Sequence, residues 1–372
     1  MIAYIFGIVL FALGVCLSLA LHEAGHMLTA RAFGMKVRRF FVGYGPKLFS
    51  FKRNGTEYGL KAIPVGGFCD IAGMTTLDDR PGERPMFRFK TWQRTVVMAT
   101  GPLTHFVLGF LILYTMAATM GLPNTTGKPV LGSVAGGAAE TAGIRPGDTV
   151  LSVGGTQTPT WSEVVGTVRK QSGPTAIEVR RGDETLLFSV NIPQVNREGL
   201  GQVGTIGATV TTNFSYGPIE AISGAGAFTG QMFAQTWQKL VEFPQRVPAL
   251  VSAIFGGERD PNTPISVVGA SRLGGEAVAA GLWSVFLLML AGLNFFLGVF
   301  NLLPLLPLDG GHIVVNWYER VRDSIRKLRG RAALGPVDYE RLATVTLVLV
   351  MIGGALVTLT ITADIVNPVR LT

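Results

Sequence analysis

Charge is absent from four stretches of the chain, residues 1–22, 95–127, 277–308 and 342–363, and apolar side chains dominate each of them. About 20 apolar residues suffice to cross a bilayer. The pattern therefore predicts four membrane helices, at residues 1–32, 94–121, 277–315 and 342–366. Between the first two the period changes. Residues 37–71 alternate aromatic and polar positions, with a turn signal at Asn54-Gly55 and Gly-rich ends, which predicts a β-hairpin or small sheet within a membrane-associated region, 33–93. A cover packed beneath the helices is the plainer reading of the same segment. Residues 128–195 turn soluble in character: VLGSV, DTVLSV, TAIEVRR and TLLFSVNI read as strands, and TWSEVVGTVRKQ as a helix capped by Thr160 or Ser162. Residues 196–276 read as a linker with amphipathic helices. Within it, 221–256 carries Phe228, Met232, Phe233, Trp237, Leu240 and Phe243 at helical spacing, interrupted by Gln231, Gln235 and Gln238. Such a helix lies on the membrane face or packs against the soluble segment. Residues 316–341 read as a charged loop.

Composition sharpens this picture. The chain has 372 residues, 48% of them hydrophobic and 15% charged, against about 25% charged in ordinary soluble domains. That balance argues against a soluble enzyme, and the apolar fraction is too high for a disordered chain. Cys16 and Cys69 are the only cysteines, so a disulfide scaffold is excluded too and both are expected as free thiols. The first apolar run has no basic residues before it and is expected to stay in the membrane rather than act as a cleaved signal. The net charge of +8 is unevenly placed. Residues 31–94 hold 13 Lys and Arg against 5 Asp and Glu, residues 316–341 hold 7 against 4, and residues 122–281 hold 11 against 12. The positive-inside rule puts the two basic segments in the cytoplasm and 122–281 outside, with both termini outside. Basic charge so placed calls for no nucleic-acid partner.

The chemistry is concentrated at LHEAGH, residues 21–26. His22 and His26, four apart on a helix, present both imidazoles to one ion, and Glu23 lies beside them to take a proton from water. Ionisable groups in a membrane helix are costly and are retained for function. A catalytic zinc needs a third protein ligand and an open position. Asp309, in NLLPLLPLDGGH at residues 301–312, is the single acidic residue between Glu276 and Glu319, and a lone carboxylate at membrane depth needs a cation. His312 is close enough in sequence to reach the same site, where it would close the water position, so an outer role or exposure suits it better. Asn294 and Asn301 share a helical face, suited either to an unwound peptide or to interhelical hydrogen bonds.

Two resemblances follow. GAAETAGIRPGDTVLSVGG, residues 137–155, resembles the core of bacterial PDZ domains, which take an extended peptide by strand addition; peptide capture and steric filtering are both open for it. The HEAGH helix, the N-x-x-P-x-x-x-L-D-G segment and the intervening PDZ-like stretch together resemble the site-2 protease family of intramembrane zinc metalloproteases, and PISVVGAS and NLLPLLPLDGGH resemble its actinobacterial, regulated-intramembrane-proteolysis branch. That resemblance implies a polytopic α-helical membrane protein with about four transmembrane helices, a membrane-associated β-hairpin or sheet and an inserted extracytoplasmic PDZ domain. It implies Zn2+ held by His22, His26 and Asp309, Glu23 as catalytic base, and Asn301 handling the substrate backbone. It also implies an active site toward the cytoplasmic side of a bacterial plasma membrane. Its substrates would be single-pass membrane proteins such as anti-sigma factors or signal-peptide remnants, already trimmed by an upstream site-1 protease. One departure stands out: the family often has G-P-x-x-N where this chain has GPLTH at 101–105, so His105 reads as a surface or interhelical histidine, with an outer partner of the site as the alternative. A metal-free scaffold leaves HEAGH and Asp309 without a purpose, and a transporter reading lacks the internal repeat such folds often carry.

Overall fold

The computed structural model describes residues 1–125, 127–197, 199 and 201–371. They form two compact units, one of residues 1–115 and 225–372 and one of residues 116–224.

In the first unit, α1 (Ile2–Ala32), α2 (Thr91–Thr119), α7 (Trp283–Asn301) and α9 (Tyr339–Val366) are the four helices long and apolar enough to cross a membrane. Between α1 and α2 lie β1 (Val37–Arg53) and β2 (Thr56–Ile71), joined at Asn54-Gly55, where both residues have positive φ. Each strand bends at its glycines, so the pair makes a four-rung sheet. Residues 39–42 pair on one side with 70–67 and on the other with 57–60, which in turn pair with 52–49. Residues 67–71 and 49–53 form the two outer rungs. The sheet is fixed to the helices by a buried cluster in which Met27 and Ala30 of α1 meet Val37, Ile71, Met86 and Val97. Away from this anchor Leu48, Phe49, Phe51, Leu60 and Ile63 are exposed, an apolar surface of the kind that marks a protein or membrane contact.

Two parts of the expected layout need correction. Residues 196–276, read as a linker and amphipathic helices, include α6 (Val267–Ala279), a largely buried helix seated on the first half of α1. The contact is made through glycine: a Cβ on Gly7 would fall 2.8 Å from Gly275 Cα, and one on Gly275 would fall 2.8 Å from Tyr4 O. Small residues at this crossing let two backbones approach, which is how helices associate where no water drives them together. The expected amphipathic helix precedes it as α5 (Glu220–Ile254).

The second correction concerns residues 277–315, expected as one span. α7 stops at Asn301, residues 302–308 are irregular, and a separate helix, α8 (Asp309–Leu328), starts at Asp309. Pro304 and Pro307 lack the N–H that an uninterrupted helix needs. The residues read as a charged loop from 316 are therefore helical to Leu328. α8 is the most strongly amphipathic of the long helices, and its abundant charges conceal the apolar stripe. Its buried face is tied down by Glu319, whose carboxylate accepts from Arg94 Nη2 at 2.7 Å and from the Val337 amide at 2.7 Å.

The second unit has at its centre a sheet of order β6-β5-β7-β8, formed by β5 (Thr149–Val153), β6 (Thr156–Gln157), β7 (Gly173–Arg181) and β8 (Glu184–Ile192). α3 (Ala138–Thr141) and α4 (Trp161–Val168) accompany it. Thr160 caps α4 through a reciprocal box with Glu163, satisfying backbone donors that the first helical turn leaves free. β4 (Leu131–Val134) pairs with β11 (Ala208–Val210), and β3 (Leu122–Pro123) with β12 (Asn213–Phe214). The hairpin β9 (Gln194–Arg197) and β10 (Gly201–Gly204) lies between. The soluble segment therefore extends past residue 195, because its first and last strands are partners.

Candidate metal centre

α1 runs without interruption through HEAGH, so His22 and His26 stand one turn apart and both are buried. Asp309 reaches them from the first turn of α8, where the helix dipole favours a negative charge. The three donor atoms converge. His22 Nε2 is 3.1 Å from His26 Nε2, and Asp309 Oδ2 is 3.2 Å from the first and 3.4 Å from the second. Zinc bound at about 2.0–2.2 Å with tetrahedral angles holds its ligand atoms about 3.3–3.6 Å apart. The triangle fits such an ion. No other group of three His, Cys, Asp or Glu side chains among the described residues is so arranged.

Hydrogen bonding supports the same assignment. His26 Nδ1 is 2.7 Å from the carbonyl oxygen of Val97, which can only accept, so Nδ1 carries the proton and Nε2 offers a lone pair. That lone pair faces another imidazole nitrogen and a carboxylate oxygen. With His22 Nδ1 free of any hydrogen-bond partner among the described residues, His22 can carry its proton there and turn Nε2 to the same point. The three atoms then make a donor set that a cation would satisfy. α2 makes room for the cluster at Gly101, where a Cβ would come within 2.3 Å of His26 Nε2 and 2.8 Å of His22 Cε1. Neither Val97 nor Gly101 is a candidate from sequence. The first contributes a backbone carbonyl, which any residue type supplies, and the second contributes an absent side chain.

Glu23, next to the first histidine, faces the sheet rather than completing the triangle. A Cβ on Gly67 would lie 3.4 Å from Glu23 Cγ, and the Gly67 carbonyl accepts a hydrogen bond from the Tyr44 hydroxyl at 2.9 Å. The outer rung, residues 67–71, thus passes beside the carboxylate.

His105 is fully buried on α2, one turn beyond Gly101, with its ring 5.0 Å from that of His22. Its Nδ1 is 3.1 Å from Oδ1 of Asn294, itself fully buried on α7. His105 is therefore interhelical and not at the surface, bonded to Asn294 and packed against the ring of His22. Asn294 spends its amide on this histidine and on Leu290 O, at 2.8 Å. Asn301 is the last residue of α7 and donates to Leu297 O at 3.0 Å. His312 is not among the converging donors: its ring stacks on Tyr339, whose hydroxyl is 3.4 Å from Nδ1. Cys16 and Cys69 are free.

Residues 10–342 match the model of peptidase family M50. The chain is 45% identical to the zinc metalloprotease Rip1 of Mycolicibacterium smegmatis, over 98% of both chains. It is 42% identical to Rip1 of Mycobacterium tuberculosis, over 99% of both. A more distant relative is the regulator of sigma-W protease RasP of Bacillus subtilis, 25% identical over 81% of this chain and 87% of that one. With its four membrane-length helices, the chain belongs to the M50, or site-2 protease, family and is a multi-pass, zinc-dependent metalloendopeptidase.

Proposed function

We propose that His22, His26 and Asp309 hold the zinc, that Glu23 is the catalytic base, and that the enzyme cleaves single-pass membrane proteins within or beside the bilayer. The observation that carries this reading is the 3.1–3.4 Å triangle of donor atoms with Glu23 alongside. Zinc supplies a Lewis acid that polarises the scissile carbonyl and brings the pKa of a bound water to about 7. Glu23 takes the proton of the attacking water onto its carboxylate and delivers it to the leaving nitrogen. His26, its tautomer fixed by Val97 O, keeps its Nε2 aimed at the ion.

A helical substrate hides its carbonyls in its own hydrogen bonds, and lipid offers no replacement for them. Residues 67–71 supply one. As an outer rung beside Glu23, they can pair with an unwound substrate strand and carry it past the base. Asn301, at the frayed end of α7, is placed to hydrogen-bond the same backbone. Residues 116–224 act as a PDZ domain on the extracytoplasmic side, taking or screening substrates already shortened by a site-1 protease. The charge distribution supports an active site toward the cytoplasmic face. Anti-sigma factors and signal-peptide remnants are the substrates of choice; the naming of the B. subtilis relative for sigma-W regulation supports the former.

Glu23→Gln tests the mechanism. It preserves size and hydrogen bonding, so the variant is expected to retain zinc and to cleave a reporter single-pass substrate about 100- to 10,000-fold more slowly. Near-normal turnover overturns Glu23 as base, and loss of zinc recasts it as a ligand. Orientation is tested separately. In intact spheroplasts a membrane-impermeant thiol reagent should label Thr156→Cys and leave Cys69 unmodified; the reverse pattern inverts the topology.

A further inference from the structure

α8 leaves the metal centre carrying an apolar stripe that the described residues of the first unit leave largely open. Val314, Trp317, Tyr318, Val321, Ile325 and Leu328 are each 44–87% exposed, and at 100° per residue they fall within an arc of about 100°. The opposite face is already committed, with Asn316 and Glu319 buried. Beyond the helix the chain folds back along it. Arg322 donates to Gly335 O, and Arg326 Nε donates to Ala332 O at 2.8 Å. The result is a groove of about 360 Å³ with Val321, Ile325 and Leu334 in its wall and Arg326, Arg329 and Arg331 at its rim. Among the described residues, none of these three guanidinium groups has a carboxylate within ion-pair distance.

We propose that this groove binds an anionic phospholipid, with the phosphate between the rim arginines and the first acyl carbons along Val321 and Ile325. The argument is one of matched chemistry. An uncovered apolar wall and an uncompensated cluster of positive charge, side by side on an amphipathic helix of a bilayer-spanning chain, complement a molecule that is apolar at one end and anionic at the other. A soluble phosphate would leave the apolar wall wet, and a zwitterionic lipid would leave the arginines uncompensated.

Binding of dansyl-labelled phosphatidylglycerol and of dansyl-labelled phosphatidylcholine to the purified full-length protein in detergent tests the proposal. The wild type should prefer the anionic lipid by about ten-fold or more, as expected for two or three basic residues at a lipid headgroup. Arg329→Gln/Arg331→Gln should bring that preference close to one; both residues are exposed, so the exchange removes charge without disturbing packing. Val321→Ser/Ile325→Ser should weaken both lipids together. Equal binding of the two lipids by the wild type overturns the proposal, as does an undiminished preference in the double glutamine variant. Displacement of the labelled lipid by equimolar glycerol 1-phosphate would assign the groove to a soluble phosphate ligand instead.

Discussion

Gly101 sets the tolerance of the metal centre. Its α-hydrogen occupies the space where any side chain would strike His26 Nε2 at 2.3 Å, and the struck atom is the one the proposed ligand set turns toward the ion. Gly101→Ala is therefore expected to leave the helices intact and to weaken zinc binding by about 10- to 100-fold, the range for disturbing groups that orient metal ligands. Metal content after dialysis against graded chelator measures it. The same position illustrates what a sequence hides. The i, i+4 histidines and the isolated Asp309 are legible because each is an expensive group in an apolar run. Gly101 is one of 48 glycines, and Val97 acts through its carbonyl, so nothing in their side chains marks either as a neighbour of the metal. His105 is intermediate: its departure from the family pattern drew notice, but only the fold pairs it with Asn294.

Secondary structure was legible wherever a local rule operated alone. Asn54-Gly55 accepts the positive φ of a tight hairpin turn, and of the two cap candidates, Thr160 and Ser162, the structure selects Thr160 through its box with Glu163. It was obscured where two patterns overlap. α8 begins inside an apolar run and ends among arginines, so composition assigns its halves to a span and a loop while its stripe runs through both. What ties α8 to α2 is the Arg94–Glu319 pair, both side chains buried and 2.7 Å apart. Removing one partner leaves the other charge unpaired below the surface, at a cost of about 3–5 kcal/mol. Glu319→Ala should accordingly lower the thermal midpoint of the detergent-solubilised protein clearly. Arg94→Met/Glu319→Leu, which removes both charges, should recover most of the loss.

At the scale of the whole molecule, the unit of residues 116–224 is an insertion whose first and last strands, β3 and β12, are partners. It is consequently closed upon itself. Within it Asp148 is buried and held by Arg181 through two hydrogen bonds, of 2.8 and 2.7 Å, and by the Arg145 amide at 2.9 Å. Burial pushes the Asp148 carboxyl up, but the Arg181 guanidinium and the Arg145 amide outweigh it and hold the group below the usual carboxylate range. A depressed native pKa gives stability that is fully present above the unfolded value, about 4, and is lost as pH falls through the native one. Residues 116–224 expressed alone contain Trp161 as their single tryptophan. Urea unfolding followed by its fluorescence should show stability falling below about pH 4 in the wild type, with a shallower fall in Asp148→Asn.

The two histidines and the aspartate of the metal centre are separated by most of the chain: α1 is made first, and Asp309 opens α8 near the end. Bacterial or not, a ribosome adding roughly 5–20 residues per second needs roughly 15–60 s to travel from one to the other. Throughout that interval α1 and α2 can already be embedded and the sheet formed, yet the nascent chain lacks its third donor. Synthesis order thus acts as a built-in delay. On the proposed ligand set, the half-made enzyme carries two of its three donors, and the site is completed only when the final helices arrive.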